Sequence, residues 1–297
     1  TYTSGGEFPP LTAAMPLGGN MAMNSGILEL SRSGIAYNVT IPNTVNCILR
    51  LNGHELRMAG SFTNNAATIN TMGLDASVAN SKLNFVGNKL QTILFGNQVF
   101  GGVYTRPDLE ISNTFSGNGN NGGQMVNSAG YVRHIVVNPA SYLQVNNFSL
   151  NVSGDITNNG TILASGANAS TLLYFNGTVA QSISGSGKFQ QILSNAEDDV
   201  FPGIALANSS GANPALSINQ NLILQNQLLL IEGILGGTGT LTIGNGSVNT
   251  FTLNVGIAAG TKPGGSIASG KSVSYRMADM TFNGIYYNLT PASGYTT

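Results

Sequence analysis

The residues that could do chemistry in this sequence are few. Asp108 and Glu110 have one residue between them, so on a β-strand both carboxylates project to the same side. A carboxylate pair on one face is what acid–base cleavage of a glycosidic bond requires. Arg106 stands beside the pair and Arg133 follows. A catalytic groove would draw on Asp108, Glu110, Arg133 and the run Glu197, Asp198, Asp199. Because hard cations take several carboxylate oxygens, that acidic run is also a candidate calcium site; a solvated loop is the simpler reading. His54 and His134 have no His or Cys at metal-ligand spacing and read as surface imidazoles. The stretch from Gly265 to Lys271-Ser272 matches the phosphate-loop pattern. A Pro/Gly cluster precedes it, however, and strand-like alternation follows, so neither the strand nor the helix of such a site is in place. Gly117, Gly119 and Gly122 have dinucleotide-fingerprint spacing, again without the strand and helix that give it meaning. The sequence therefore predicts no catalytic set, no metal site and no cofactor.

The elements that would position these residues are short strands. Apolar alternation appears at Ile48–Leu51 and at Leu56–Met58, with Asn52-Gly53 between them as a turn signal. Gly makes up 39 of 297 residues, nearly twice the usual share of about 7%, and Asn is similarly abundant. Both residues tolerate left-handed backbone and so mark turns. A chain that turns this often, with few Glu and Lys to favour helices, should be nearly all β. Charged residues are 8% and the net charge is −1, against about 25% charged in ordinary domains. That argues against nucleic acid, whose binding needs clustered basic groups, and against a polybasic membrane-surface site. No apolar run reaches the ~18 residues of a membrane-spanning helix. Cys47 is alone, which excludes an intrachain disulfide, and reads as a small buried side chain between Val45 and Ile48. The chain begins at Thr1 with no basic-then-apolar leader, and is read as a processed or truncated piece of something longer.

Internal repetition organises the rest. A shift of 94 carries Leu56, Met58 and Gly60 onto Leu150, Val152 and Gly154, and Thr63-Asn64-Asn65 onto Thr157-Asn158-Asn159. After small gaps Gln91 falls on Gln181 and Phe85 on Phe175. A further shift of 79 carries Gly154 onto Gly233. The organisation predicted is an N-terminal cap or linker over 1–30, and a first repeat unit with a loop insertion over 31–130, the insertion being residues 103–130. A second unit over 131–207 and a third with a partial fourth over 208–297 complete it. Short strands at variable spacing predict a parallel β-helix, or β-solenoid, in which each turn pairs with the one below. The inward residues would be Leu56, Met58, Ile69, Phe85, Leu150, Val152, Ile162 and Phe175. The rival architecture is a row of small β-sandwiches.

Gly154-Asp-Ile-Thr-Asn-Asn-Gly-Thr-Ile162, Phe175-Asn-Gly-Thr-Val-Ala-Gln-Ser-Ile-Ser-Gly-Ser-Gly187 and Leu222–Ile243 resemble the repeats of large secreted surface proteins of Bacteroidota, the gliding and adhesion proteins exported by type IX secretion. The resemblance covers roughly residues 45–255, lies in repeat style and carries over no functional residue. It implies an extracellular, non-catalytic β-rich stalk or adhesin. The expected function is thus a structural or adhesive protein of the cell surface, a filament or stalk subunit that associates with itself or with other surface proteins. The alternatives are a polysaccharide-degrading β-helix enzyme built on the acidic positions above, and a glycan-binding module with tyrosines lining one face.

Overall fold

The computed structural model describes residues 19–66, 72–96, 106–117, 120–126, 129–165, 171–193, 196–243, 252–255, 281–282 and 285–286. Among these every regular element is a β-strand. The chain coils. Among the described residues a turn contributes a strand, most often of three to six residues, to one sheet, turns a corner, adds to a second sheet, turns again, adds to a third, and begins the next turn. Sheet I runs from Met21–Ala22 through Val39–Ile41, Phe62–Asn64, Gln91–Leu94, Gly123–Met125, Tyr142–Asn146 and Thr161–Ser165 to Lys188–Leu193. Sheet II runs from Gly34–Ala36 through Glu55–Met58, Lys82–Gly87, Asp108–Asn113, Ile135–Val137, Ile156–Asn158, Gln181–Ser184 and Leu216–Ile218 to Leu235–Gly236. The third position is taken first by sheet IIIa (Ile27–Glu29, Ile48–Arg50, Gly73–Asp75). Sheet IIIb (Gly130–Val132, Leu150–Val152, Leu173–Phe175, Phe201–Ala207, Leu222–Glu232, Leu241–Ile243) takes it later. Pairing between turns is parallel throughout these sheets, as in Leu56↔Leu83, Leu83↔Leu109 and Leu109↔Ile135. Antiparallel pairs among the described residues are confined to three local hairpins. This is the parallel β-solenoid, not a row of sandwiches.

Period-two alternation makes the inside. In a three-residue strand the first and third side chains point one way and the second the other, and strand after strand is buried, half-buried, buried. Stacking then converts alternation into columns. Leu56, Leu83, Leu109, Ile135, Ile156, Ile183 and Ile218 lie in register along the interior of sheet II. All are buried, each contributing ~1.5–3 kcal/mol relative to exposure. Seven of the eight inward residues expected from the sequence are fully buried; Ile69 lies outside the described residues. Cys47 is buried too, and burial pushes its thiol pKa up.

The corners explain the wealth of Asn and Gly. Asn46, Asn52, Asn80 and Asn146 all hold positive φ, a region that Asn enters at lower cost than other residues with a side chain. Asn52-Gly53 is a turn, as its sequence indicates, but a corner and not a hairpin: Ile48–Arg50 belongs to sheet IIIa and Glu55–Met58 to sheet II.

Two corners share one hydrogen-bond pattern. Where the chain leaves sheet II after Met58, the buried Gln91 of the next turn donates from Nε2 to the carbonyls of Met58 (2.8 Å) and Gly60 (2.7 Å). One turn further, Asn113 Nδ2 donates to Gln91 Oε1 and to Lys89 O, while Asn113 Oδ1 accepts from Phe115 N. Where the chain leaves sheet IIIb after Val152, Gln181 Nε2 donates to Val152 O (3.0 Å) and Gly154 O (2.7 Å). Asn208 Nδ2 then donates to Gln181 Oε1 and Val179 O, and Asn208 Oδ1 accepts from Ser210 N. The shift of 94 therefore repeats a corner, and it moves that corner from the II-to-I edge to the III-to-II edge.

The segment 103–130, expected as an insertion, carries two strands of the main sheets. Asp108–Asn113 pairs along six residues with Lys82–Gly87, and Gly123–Met125 pairs with Gln91–Ile93. The Gly- and Asn-rich composition marks only the excursion between them, where Ser116–Gly117 pairs antiparallel with Asn120–Asn121.

Candidate functional site

The outward face of sheet II carries five charged side chains, Glu55, Arg57, Lys82, Asp108 and Glu110. Two outward columns stand side by side: Glu55, Lys82 and Asp108 in one, Arg57, Asn84, Glu110, Val136 and Thr157 in the other. Asp108 and Glu110 do share one side of a strand, because Leu109 and Ile111 between and beyond them are buried. The structure brings Arg133 to the same place. Its Nε and Nη2 donate to the two oxygens of Asp108 at 2.7 and 2.8 Å, a bidentate pair. Arg106, adjacent in sequence, goes elsewhere.

Glu110 has two partners that sequence inspection missed. Lys82 Nζ donates to Oε2 at 2.7 Å from the turn before, and Asn138 Nδ2 to Oε1 at 3.0 Å from the turn after. Asn84 Nδ2 reaches back to Glu55 Oε1 at 2.7 Å. On the other side Asp155 N donates to His134 Nδ1 (2.9 Å), and Asp155 Oδ1 accepts from Ser182 N and Oγ. Since Nδ1 of His134 accepts from that amide, the 3.7 Å approach of Asp155 Oδ2 to the same nitrogen is not an ion pair in this state. The result is a polar ladder in two runs, one joining Glu55, Asn84, Ser112, Asn138, Glu110 and Lys82 and the other joining Arg133, Asp108, His134, Asp155 and Ser182. Its signal in the sequence was the recurrence of polar residues one turn apart, such as Arg57, Asn84 and Glu110, and that becomes visible only once the turn lengths are known.

Ser33, Gly53, Glu55, Lys82, Asp108, Glu110 and His134 line a hollow of about 360 Å³ on this face. Its electrostatics are those of fixed charges. For Glu110, burial works to raise the pKa, but the hydrogen bonds from Lys82 and Asn138 and the charges of Lys82 and Arg57 outweigh it and hold the carboxyl below its ordinary range. The bond to Glu110 raises Lys82 against the opposing effect of burial. Arg133 is raised by its bonds to Asp108, again against burial. A general acid needs its carboxyl pKa raised toward neutrality and a lysine base needs its own lowered; Glu110 and Lys82 move the opposite way.

The acidic run lies on sheet I. Ala196–Asp198 pairs antiparallel with Lys188–Leu193, and Asp199 accepts from Lys188 Nζ (3.2 Å) and Gln190 Nε2 (2.7 Å). The Glu197 side chain lies outside the described residues, as does the Gly265–Ser272 stretch. Among the described residues no three His, Cys, Asp or Glu side chains come together as a metal site would require, and no helix is long and apolar enough to cross a membrane. No protein-family model, no curated protein and no solved structure matches the chain.

Proposed function

We propose that this chain is a non-catalytic structural and adhesive protein of the cell surface, a rigid extracellular solenoid that serves as a stalk and presents its polar faces to partners, including further copies of itself. One observation carries the reading. The side chains on sheet II that proton-transfer chemistry would need are instead bonded from turn to turn, with Glu110, Lys82 and Arg133 each favoured in the charged form. Such groups brace a scaffold. The sparse charge, the buried lone thiol and the repeat style of secreted surface proteins support the same reading.

The test is incubation of the purified protein with neutral and acidic polysaccharides, following new reducing or unsaturated ends, alongside electron microscopy of the same sample. No cleavage, with elongated particles or filaments, is the expected result. Cleavage that disappears in Asp108→Asn or Glu110→Gln would overturn the proposal in favour of a polysaccharide-degrading enzyme.

A further inference from the structure

Sheet IIIb presents a different surface. Gly130–Val132, Leu150–Val152 and Leu173–Phe175 pair in register, which places Tyr131, Asn151 and Tyr174 in one outward column. Their neighbours on each strand are buried and the three themselves are half-buried. The two tyrosine positions are two strand spacings apart, roughly 9–10 Å, close to the length of one disaccharide. Over this column lies Arg106. Its guanidinium carbon is 5.6 Å from the centre of the Tyr131 ring, and Nη1 donates to Asn176 Oδ1. Asn176 Nδ2 in turn reaches Asn151 Oδ1 at 3.4 Å.

Among the described residues Arg106 stands apart from the paired arginines in having no carboxylate partner. Arg50 has Glu29 and Asp75, Arg57 has Glu55, and Arg133 has Asp108. Among the described residues no carboxylate pairs with Arg106, and 97–105, immediately before it, contain no Asp or Glu. Its bond to Asn176 uses one of five guanidinium donors. Burial pushes its pKa down, so the cation is held where water solvates it poorly. A partly desolvated guanidinium with a neutral amide as its hydrogen-bond partner and an aromatic ring beneath it is an anion site with a platform.

We infer that this face of sheet IIIb binds an acidic polysaccharide, with the carboxylate or sulfate of one sugar on the Arg106 guanidinium that Tyr131 supports, a sugar ring against Tyr174, and hydroxyls on the Asn151 and Asn176 amides. A planar bidentate donor suits such anionic groups, and the apolar faces of sugar rings lie well on aromatic side chains. The inference rests on the adhesive reading above and gives it a ligand class.

The experiment is affinity electrophoresis of the whole chain through gels containing polygalacturonate, chondroitin sulfate or neutral dextran. Retardation by one or both acidic polymers and not by dextran is expected, and the two acidic gels distinguish carboxylate from sulfate. Arg106→Gln should weaken that retardation about tenfold or more, Arg106→Lys less, and Tyr174→Ala about two- to tenfold. Lys89→Gln, which removes an exposed cation elsewhere, should leave it unchanged. Circular dichroism and thermal melting of each variant separate lost binding from lost fold, and Arg106→Lys and Tyr174→Ala decide the matter if Arg106→Gln does not fold. Wild-type retardation in folded Arg106→Gln, equal retardation by dextran, or none by either acidic polymer would overturn the site while leaving the stalk intact. Cleavage of the polymer would overturn the non-catalytic reading instead.

Discussion

The buried amides at the corners and the charges on sheet II both link each turn to the next, but they meet water differently. Gln91, Asn113, Gln181 and Asn208 are shut away, so any bond they lose is not replaced. Lys82, Glu110, Arg133 and Asp108 keep between 18% and 33% of their side-chain surface in solvent, so water takes over much of what a lost partner supplied. The neutral network should therefore hold the fold, and the charged network should trim it.

The most damaging change on this view is Gln181→Leu. It leaves the carbonyl of Gly154 and the amide of Gly177 without the Gln181 side chain, and takes one of two partners from the carbonyl of Val152 and from Asn208 Nδ2. A loss of about 3 kcal/mol or more is expected from urea denaturation, with a comparable loss for Gln91→Leu at the equivalent corner. Next comes a contrast between glycines that the 94-residue shift superimposes. A methyl at Gly60 would sit closest to Asn38 Oδ1 and 2.6 Å from the backbone carbonyl oxygen of Tyr37, whereas at Gly154 it would meet the His134 side chain at 2.6 Å and backbone, the Arg133 oxygen, only at 3.0 Å. Gly60→Ala should cost about 2 kcal/mol and Gly154→Ala about half that; equal midpoints for the two would mean that the two glycines are packed alike after all.

Outside, Asp108→Asn removes the bidentate partner of Arg133 and should cost about 1 kcal/mol. Glu110→Gln should cost less, about 0.5 kcal/mol, and with a pH signature. Glu110 is held below its ordinary value of 4.5, so its contribution is present above that value and lost as pH falls through the lowered one. Lys82 is held above its ordinary value of 10.5, so its contribution is present below that value and lost as pH rises through the raised one. The stability gap between wild type and Glu110→Gln should thus be flat across neutral pH and close at both extremes. A gap that persists in acid would show that the pair does not act through charge.

The interior was legible in the sequence because alternation is a local property. Leu56, Met58, Leu150 and Val152 declare their direction through their immediate neighbours, and Asn52-Gly53 declares a bend. The pairing of Asp108 and Glu110 on one side was legible for the same reason. What could not be read was anything set by turn length. Lys82 meets Glu110 and Asn138 meets both Glu110 and Ser112 across 26 to 28 residues, and the turns vary, so no fixed spacing announces these contacts. Arg106 misleads in the opposite direction. It lies next to the acidic pair in sequence, but the backbone rounds a corner at Pro107 and its guanidinium ends on another face.

The 94-residue repetition has a geometric consequence. Since it carries a corner from one edge of the solenoid to the next, a segment copied at that interval does not line up above its original; it points in a new direction around the axis. A surface patch multiplied in this way would be distributed around the shaft like leaves around a stem. A partner with several identical epitopes could then engage copies simultaneously only by wrapping the shaft, or several partners could be held at once on different sides, each unhindered by the others.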